Sequence, residues 1–171
     1  RMPYDITIIV NENNLSTESA YSLSLAIEHV TPPVLIVDGD VVFSKRLIIN
    51  LLNDERDTSL VSRPARYVHE AGGRVILDGD RVIAIGRYIR GKFPWHIYSG
   101  IIKVGTGVFN ALKREVVRKK CSNLEFIDVL NTLCKEYAIY SVEDYRWVNV
   151  NTLESYLMAK EVIKIWAQEE Q

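Results

Sequence analysis

The segment that most constrains the fold is Val34–Val41, where four consecutive apolar residues run directly into Asp38, Gly39 and Asp40. A short and continuously apolar run is typical of a strand that is buried on both faces. Such strands occur in parallel sheets covered by helices, and ligands bind where the carboxyl ends of these strands leave the sheet. The segment therefore predicts an α/β fold with two carboxylates at a ligand-binding edge.

The first half of the chain repeats this pattern. Residues 5–10 form a second apolar, β-branched run, which predicts another buried strand. Apolar positions at helical spacing predict a helix over residues 18–29, which Pro32 and Pro33 end. Ser44 is placed to cap the next helix. Strands that alternate with helices in this way indicate a mostly parallel sheet flanked by helices.

The second half of the chain has a different pattern. Asp78, Gly79 and Asp80 separate two β-rich runs, which predicts a β-hairpin. Residues 122–125 match a capping box, and Asn151 is predicted to cap a last helix that runs through Trp166. The remaining expected elements are strands at 58–63, 95–104, 138–141 and 146–150 and a helix at 106–117.

Length, charge and cysteine content limit the class of protein. The 171 residues carry a formal net charge of -1, so they show no basic footprint for nucleic acid. Cys121 and Cys134 are expected to be reduced core thiols. With neither a membrane-spanning run nor a signal peptide visible, we expect one cytoplasmic domain over residues 1–171. The sequence leaves open whether the chain forms a homodimer.

Three polar segments are candidates for chemistry. Asp38 and Asp40, separated by a glycine, suit Mg²⁺ or Mn²⁺, although Asp-Gly-Asp is also ordinary turn chemistry. Small residues over 16–26 could bring a ligand to unpaired helix N–H groups, or could simply open a capped helix. Asn149 follows Trp147 and Val148 in a short strand, where a lone Asn is usually only solvated.

These segments, in this order, resemble the nucleotidylyltransferases that activate sugar phosphates and phospho-alcohols. That family includes bacterial phosphocholine cytidylyltransferases and archaeal inositol-phosphate cytidylyltransferases. The resemblance runs from Asp5 to Glu161. It implies a Rossmann-like, nucleotide-diphospho-sugar-transferase-like sheet with a β-hairpin insertion. It also implies transfer of a nucleotide from CTP, UTP or GTP to a phosphorylated sugar or alcohol, with Mg²⁺ or Mn²⁺ as cofactor and release of pyrophosphate.

The resemblance also implies roles for individual residues. Asp40 would hold the metal and act in catalysis, with Asn149 as the second metal ligand and Arg87 as a phosphate clamp. The nucleotide would lie near Ala20, Ser22 and Asp38. The other substrate would lie near Arg66, Tyr98, Ser99 and Gly100.

Several positions depart from the family pattern. Asn149 stands where most members carry an Asp, Arg87 where many carry a Lys, and Tyr98 where some carry an acidic residue. The family opens with a strand and a glycine-rich loop that cradles the triphosphate, and residues 1–171 contain no such loop. We therefore expect the domain to be incomplete at its N-terminus, with residues 5–10 as the third strand of the parent sheet.

Two other functions fit some of these features. Asp38-Gly39-Asp40 is also the D-x-D motif by which a glycosyltransferase holds a nucleotide sugar through a metal, although the segment around Asn149 fits this reading less well. Asn149 and the missing loop are also compatible with a non-catalytic binding domain on the same fold.

Overall fold

The computed structural model describes residues 5–68, 70–91, 93–118 and 121–169. The helices within them are α1 (Ser19–Ala26, continued by a 3-10 turn at Ile27–His29), α2 (Lys45–Asn53), α3 (Thr106–Arg118), α4 (Phe126–Leu133) and α5 (Leu153–Glu169). The strands are β1 (Val34–Val37), β2 (Val41–Phe43), β3 (Ser59–Pro64), β4 (Arg74–Asp78), β5 (Arg81–Gly86), β6 (His96–Val104), β7 (Tyr140–Glu143) and β8 (Trp147–Asn149).

Six of the strands form the main sheet, in the order β1-β6-β3-β7-β5-β4. Strand β4 also pairs with β6, so β6, β3, β7, β5 and β4 close into a ring with β1 outside it. The only parallel pair among the described strands is β3 with β7, and the other pairs are antiparallel. The predicted α/β class and β4–β5 hairpin are confirmed. The expectation of a mostly parallel Rossmann-like sheet is wrong, because the long strand β6 runs antiparallel between β1 and β3.

The predicted strand over residues 5–10 is also wrong. These residues lie outside both sheets, with Ile8 83% and Val10 69% exposed. A β-branched sequence forms a strand only where a neighbouring strand offers backbone donors and acceptors. Strand β1 pairs with β6 on one side, and no described strand pairs with its other side.

A second, two-stranded sheet holds the end of the Asp38–Asp40 turn. Strand β2 pairs antiparallel with β8, and Val41 lies opposite Asn149 in that ladder. The backbone N–H of Val150 donates to the carbonyl of Asp40 at 2.7 Å. This pairing joins two segments more than one hundred residues apart in sequence, so that the loop after β1 and the end of β8 meet.

Two apolar clusters support these sheets. The larger lies between β6, β3 and β5 and the helices α1, α3 and α4, and it includes the buried thiols of Cys121 and Cys134. The smaller packs α2 against Trp95 and Trp147. No helix within the described ranges is long and apolar enough to cross a membrane.

Of the three predicted helix caps, one is formed by the predicted residue and two are formed by other residues. Ser44 caps α2 as predicted, accepting a hydrogen bond from the N–H of Leu47 at 3.2 Å. The capping box of α4 is formed by Glu125 and Asp128 instead of residues 122–125. The α5 cap is Thr152, whose hydroxyl accepts from the N–H of Ser155. Asn151, predicted to be this cap, instead lines the cavity described next.

Candidate functional site

A cavity of about 770 Å³ opens where β1 ends. Its walls come from the Asp38–Asp40 turn, the end of β8, the middle of β6, the first residues of α1 and α4, and the segment 70–74. The carboxyl end of β1 therefore does carry a concave site, as the sequence predicted, although the neighbouring strand is antiparallel.

Asp38, Asp40 and Asn149 line this cavity together. The side-chain oxygen of Asn149 is buried and has no hydrogen-bond partner among the described residues. A buried acceptor without a donor is costly, and a bound cation would satisfy it. Within the described ranges, no three or more His, Cys, Asp and Glu side chains are grouped so that they could hold a metal ion by themselves. Two carboxylates with an amide oxygen nevertheless form the all-oxygen donor set that Mg²⁺ and Mn²⁺ favour.

Burial and nearby charge make the ionised form of Asp38 unfavourable. Desolvation by the cavity walls, and then the nearby carboxylate of Asp40, raise the pKa of Asp38 to about 6. Arg87 opposes this shift only in part, and Glu125 adds to it. A cation bound beside these two carboxylates would offset the cost of keeping Asp38 ionised.

Gly100 determines the position of Asp38. Its backbone has a positive φ of 89°, and its carbonyl accepts a hydrogen bond from the N–H of Asp38 at 2.9 Å. A Cβ at position 100 would lie 2.6 Å from one carboxylate oxygen of Asp38. Only glycine therefore allows β6 to pass this close to the carboxylate.

Arg87 stands between the main cavity and a smaller one of about 220 Å³, and it lines both. Its Nε donates to the carboxylate of Glu125 at 2.8 Å. Glu125 is itself fixed as the N-cap of α4. The Arg87 side chain is 60% exposed, so it is accessible to an anion. Arg74 also lines the main cavity, but its guanidinium stacks over Trp95, 4.3 Å from the ring centroid.

Two of the four residues predicted to bind the acceptor line the cavity, and two do not. Tyr98 and Gly100 line the cavity, whereas Ser99 is fully buried and accepts a hydrogen bond from the N–H of Ile101. Arg66 is exposed outside the cavity lining, and its backbone N–H donates to Glu70. The roles assigned to these residues stay predictions.

Of the three residues predicted to lie near the nucleotide, one lines the cavity and two do not. Asp38 lines the cavity, but Ala20 is fully buried in the larger core, and Ser22 contacts Asn11 at 2.9 Å. From the same helix it is Ser19 that reaches the cavity, where its hydroxyl accepts a hydrogen bond from the N–H of Phe126.

Sequence reasoning assigned no site role to Ser19, Glu70, Arg74 or Glu125, all of which line the cavity. The glycine pair Gly72-Gly73 was the available signal for the segment 70–74, because adjacent glycines mark a close backbone approach. A side chain at Gly73 would meet Ile127 at 2.2 Å. The capping box marked Glu125 as a helix cap, but nothing local marked its contact with Arg87, which spans 38 residues.

Solved structures share this fold. CTP:phosphocholine cytidylyltransferase from Streptococcus pneumoniae matches with a TM-score of 0.74 and 16% identity, over 92% of this chain and 69% of that one. The inositol-1-phosphate CTP transferase from T. maritima matches with a TM-score of 0.67 and 14% identity, over 89% of this chain and 64% of that one.

A putative glucose-1-phosphate thymidylyltransferase from Bacillus anthracis also matches, with a TM-score of 0.69 and 18% identity, over 91% of this chain and 63% of that one. The chain thus spans between 63% and 69% of the length of these three structures. No protein-family model and no curated protein sequence matches it. The chain has the fold of the nucleotidylyltransferases, which confirms the predicted resemblance.

Proposed function

We propose that this chain carries the metal and acceptor side of a nucleotidylyltransferase site, which transfers a nucleotide from an NTP to a sugar phosphate or phospho-alcohol. One observation carries the proposal. On a fold shared with the three solved structures, Asp38, Asp40 and Asn149 line one cavity, and the side-chain oxygen of Asn149 is buried without a hydrogen-bond partner among the described residues.

Asp40 and Asn149 would hold Mg²⁺ or Mn²⁺, and Asp38 would complete or orient the metal's ligand shell. A bound divalent cation would supply charge stabilisation for phosphate oxygens during the transfer. Asn contributes no charge, so the two carboxylates would carry the electrostatic part of metal binding. The alternative is a plain turn, but a plain turn leaves the buried oxygen of Asn149 without a partner.

The reaction needs no covalent intermediate between the protein and the substrate. A phosphate oxygen of the acceptor attacks the α-phosphate of the NTP, the bond to the β-phosphate breaks, and pyrophosphate leaves. Positioning and charge stabilisation are the main contributions in transfers of this type. Arg87 is suited to bind a phosphate, since its Nε is held by Glu125 while its terminal nitrogens remain available for a bidentate contact.

The charge of the cavity limits what these residues could do unaided. Its lining has four carboxylates, from Asp38, Asp40, Glu70 and Glu125, and two guanidinium groups, from Arg74 and Arg87. A triphosphate is strongly anionic, so this lining alone is better suited to a cation and an acceptor phosphate than to a whole NTP. We therefore propose that residues outside 1–171 contribute to triphosphate binding.

Pyrophosphate release tests the function directly. Purified protein, as its natural gene encodes it, is incubated with Mg²⁺, each NTP, and either phosphocholine, inositol 1-phosphate or glucose 1-phosphate. We expect release that requires both an NTP and one acceptor. Asp40→Asn should lower kcat/KM on the order of 100-fold. Asp78→Asn, an exposed carboxylate in the β4–β5 hairpin, is the matched control and should leave the rate unchanged.

Two added measurements, incubation with a nucleotide sugar in place of the NTP and a metal-binding titration, separate the rival functions. Consumption of a nucleotide sugar without an NTP would replace this proposal with a glycosyltransferase. Metal binding without turnover of any nucleotide would favour the non-catalytic binding domain.

A further inference from the structure

The side chain of Glu125 has a partner that its position in the fold does not require. Glu125 is the N-cap of α4, and in the capping box its N–H donates to the carboxylate of Asp128 at 3.2 Å. N-cap positions favour the shorter side chains of Asp, Asn, Ser and Thr. The carboxylate of Glu125 extends further and accepts from the Nε of Arg87 at 2.8 Å. Helix capping therefore accounts for a polar residue at position 125 but not for the length of its side chain.

The start of α4 gives this carboxylate a fixed support. The N–H of Phe126 donates to the hydroxyl of Ser19 at 2.8 Å, and the N–H of Ala20 donates to the carbonyl of Leu124 at 3.2 Å. These two hydrogen bonds fasten the start of α4 to the start of α1. The ring of Phe126 is also buried in the larger apolar cluster. The backbone that carries Glu125 is therefore held both by hydrogen bonds and by packing.

Arg87 has no comparable support of its own. It follows β5 in a loop, its side chain is largely exposed, and its only side-chain hydrogen bond among the described residues is to Glu125. Burial and the Asp40 carboxylate raise the pKa of Asp38, and the charge of Arg87 acts against that rise, so Arg87 lies within electrostatic reach of both carboxylates. Ordering a long side chain on binding costs conformational entropy. An arginine whose Nε is already held loses less of it.

The contact with Glu125 leaves part of the guanidinium free. The two terminal nitrogens of Arg87 have no hydrogen-bond partner among the described residues, and they form an edge that can bind a phosphate bidentately. We infer that Glu125 is a positioning residue, which holds Arg87 at the main cavity so that this edge meets a phosphate group at a fixed place. The inference rests on the proposed function, in which the cavity binds an acceptor phosphate. It adds a residue that acts through Arg87 and not on the substrate.

The charge of Glu125 would by itself have the opposite effect on phosphate binding. A carboxylate beside a bound phosphate repels it, whereas a guanidinium held in place binds it better. The length of the side chain separates the two contributions. Glu125→Gln keeps the length and an acceptor oxygen for Arg87 but loses the charge. Glu125→Asp keeps the charge and the helix cap but is shorter by one methylene group, so its carboxylate is withdrawn from the Nε of Arg87.

Calorimetric titration with inorganic phosphate tests the inference on the natural gene product in the presence of Mg²⁺. We expect wild type to bind phosphate and Arg87→Ala to bind it more weakly. Glu125→Asp should lower the affinity roughly three- to tenfold with little change in melting temperature, because Asp is itself a favoured N-cap. Glu125→Gln should bind phosphate at least as tightly as wild type. Added to Arg87→Ala, Glu125→Asp should have no further effect on the affinity.

Asp128→Ala is the matched control, because it removes the other half of the same capping box. It leaves the contact between Glu125 and Arg87 in place. The melting temperature of this variant should fall, since a helix cap is lost, while its affinity for phosphate should not fall. A purely structural role of Glu125 would predict the reverse pattern for Glu125→Asp and Asp128→Ala.

Four results would overturn the inference. They are a wild type that does not bind phosphate, an Arg87→Ala or Glu125→Asp variant that binds it as wild type does, a Glu125→Gln variant as weak as Glu125→Asp, and an Asp128→Ala variant that loses as much affinity as Glu125→Asp. The expected pattern of affinities without pyrophosphate release from an NTP and an acceptor would refute the proposed transfer reaction. It would leave the role of Glu125 in phosphate binding standing.

Discussion

Asp38, which directly follows β1, is in contact with Gly100 in the middle of the neighbouring strand β6. The N–H of Asp38 donates to the carbonyl of Gly100 at 2.9 Å, and the missing side chain of Gly100 leaves the space that the carboxylate fills. The position of the first cavity carboxylate thus depends on a residue 62 positions later in the sequence. This dependence gives a sharp test of the site.

Gly100→Ala should both destabilise the protein and displace Asp38. The positive φ of 89° costs a residue with a Cβ about 1–2 kcal/mol, and the added methyl would overlap the Asp38 carboxylate. Urea denaturation measures the loss of stability, and calorimetry with Mn²⁺ measures the loss at the site. Unchanged Mn²⁺ binding would show that Asp38 has no part in holding the metal.

Gly107→Ala is the control for that substitution. Gly107 lies in α3, and nothing lies within 4 Å of the Cβ it lacks. The same change of residue should therefore raise stability by up to roughly 1 kcal/mol, because alanine loses less backbone entropy in a helix.

Asn149→Asp should strengthen metal binding. The new carboxylate would replace the buried, unpartnered amide oxygen and add a negative charge to the donor set. We expect Mn²⁺ affinity to rise about tenfold, or about 1.4 kcal/mol, in calorimetric titration. Asn151→Asp adds the same charge to the same cavity without that buried oxygen, and it should have a smaller effect. Equal gains from both variants would mean that only net charge matters there.

Asp144 should make stability depend on acidic pH. Burial alone would raise its pKa, but hydrogen bonds from the Arg146 side chain and from the Arg146 and Tyr145 backbone outweigh this and hold the pKa below its ordinary value. Its stabilising contribution is therefore complete above pH about 4 and is lost as pH falls through the lowered folded pKa.

Asp144→Asn should accordingly cost roughly 1–3 kcal/mol at neutral pH and flatten the acidic limb of the stability curve. Urea denaturation across pH compares it with Glu161→Gln. Glu161 pairs with Lys164 on the exposed surface, so this variant should match wild type. An acidic limb as steep as that of wild type would rule out Asp144 as its source.

The stability of the protein should fall when Arg63 is replaced, even by a residue of the same charge. Its guanidinium pairs with Glu70 at the cavity wall and stacks over Trp147 at 5.1 Å, and it is largely buried. Arg63→Lys loses the planar stacking and the forked geometry, so stability should fall by about 1–2 kcal/mol in urea denaturation. The same change at the exposed Arg90 should have no effect. Equal stability of both variants would show that charge alone suffices at position 63.

Local sequence patterns predicted most elements of the fold. The runs that became β1, β3, β6 and the β4–β5 hairpin were visible from their apolar and β-branched residues, and α2 and α3 from helical periodicity and capping. The same patterns placed Asp38 and Asp40 directly after a strand, at the end where the cavity lies. These features depend on the steric and hydrogen-bonding preferences of residues that are close in sequence, so short segments are enough to predict them.

Strand direction, pairing and the composition of the cavity could not be obtained in this way. Residues 5–10 have a strand-like sequence but no described partner, and β6 runs antiparallel beside β1 although its composition is compatible with either direction. The approach of Asn149 to Asp40, of Glu125 to Arg87 and of Gly100 to Asp38 joins distant segments. The sequence by itself determined which groups could take part in chemistry. Only the tertiary structure decided which of these groups meet. Strand pairing and burial join segments that are distant in the sequence, and no local pattern in one segment indicates its partner.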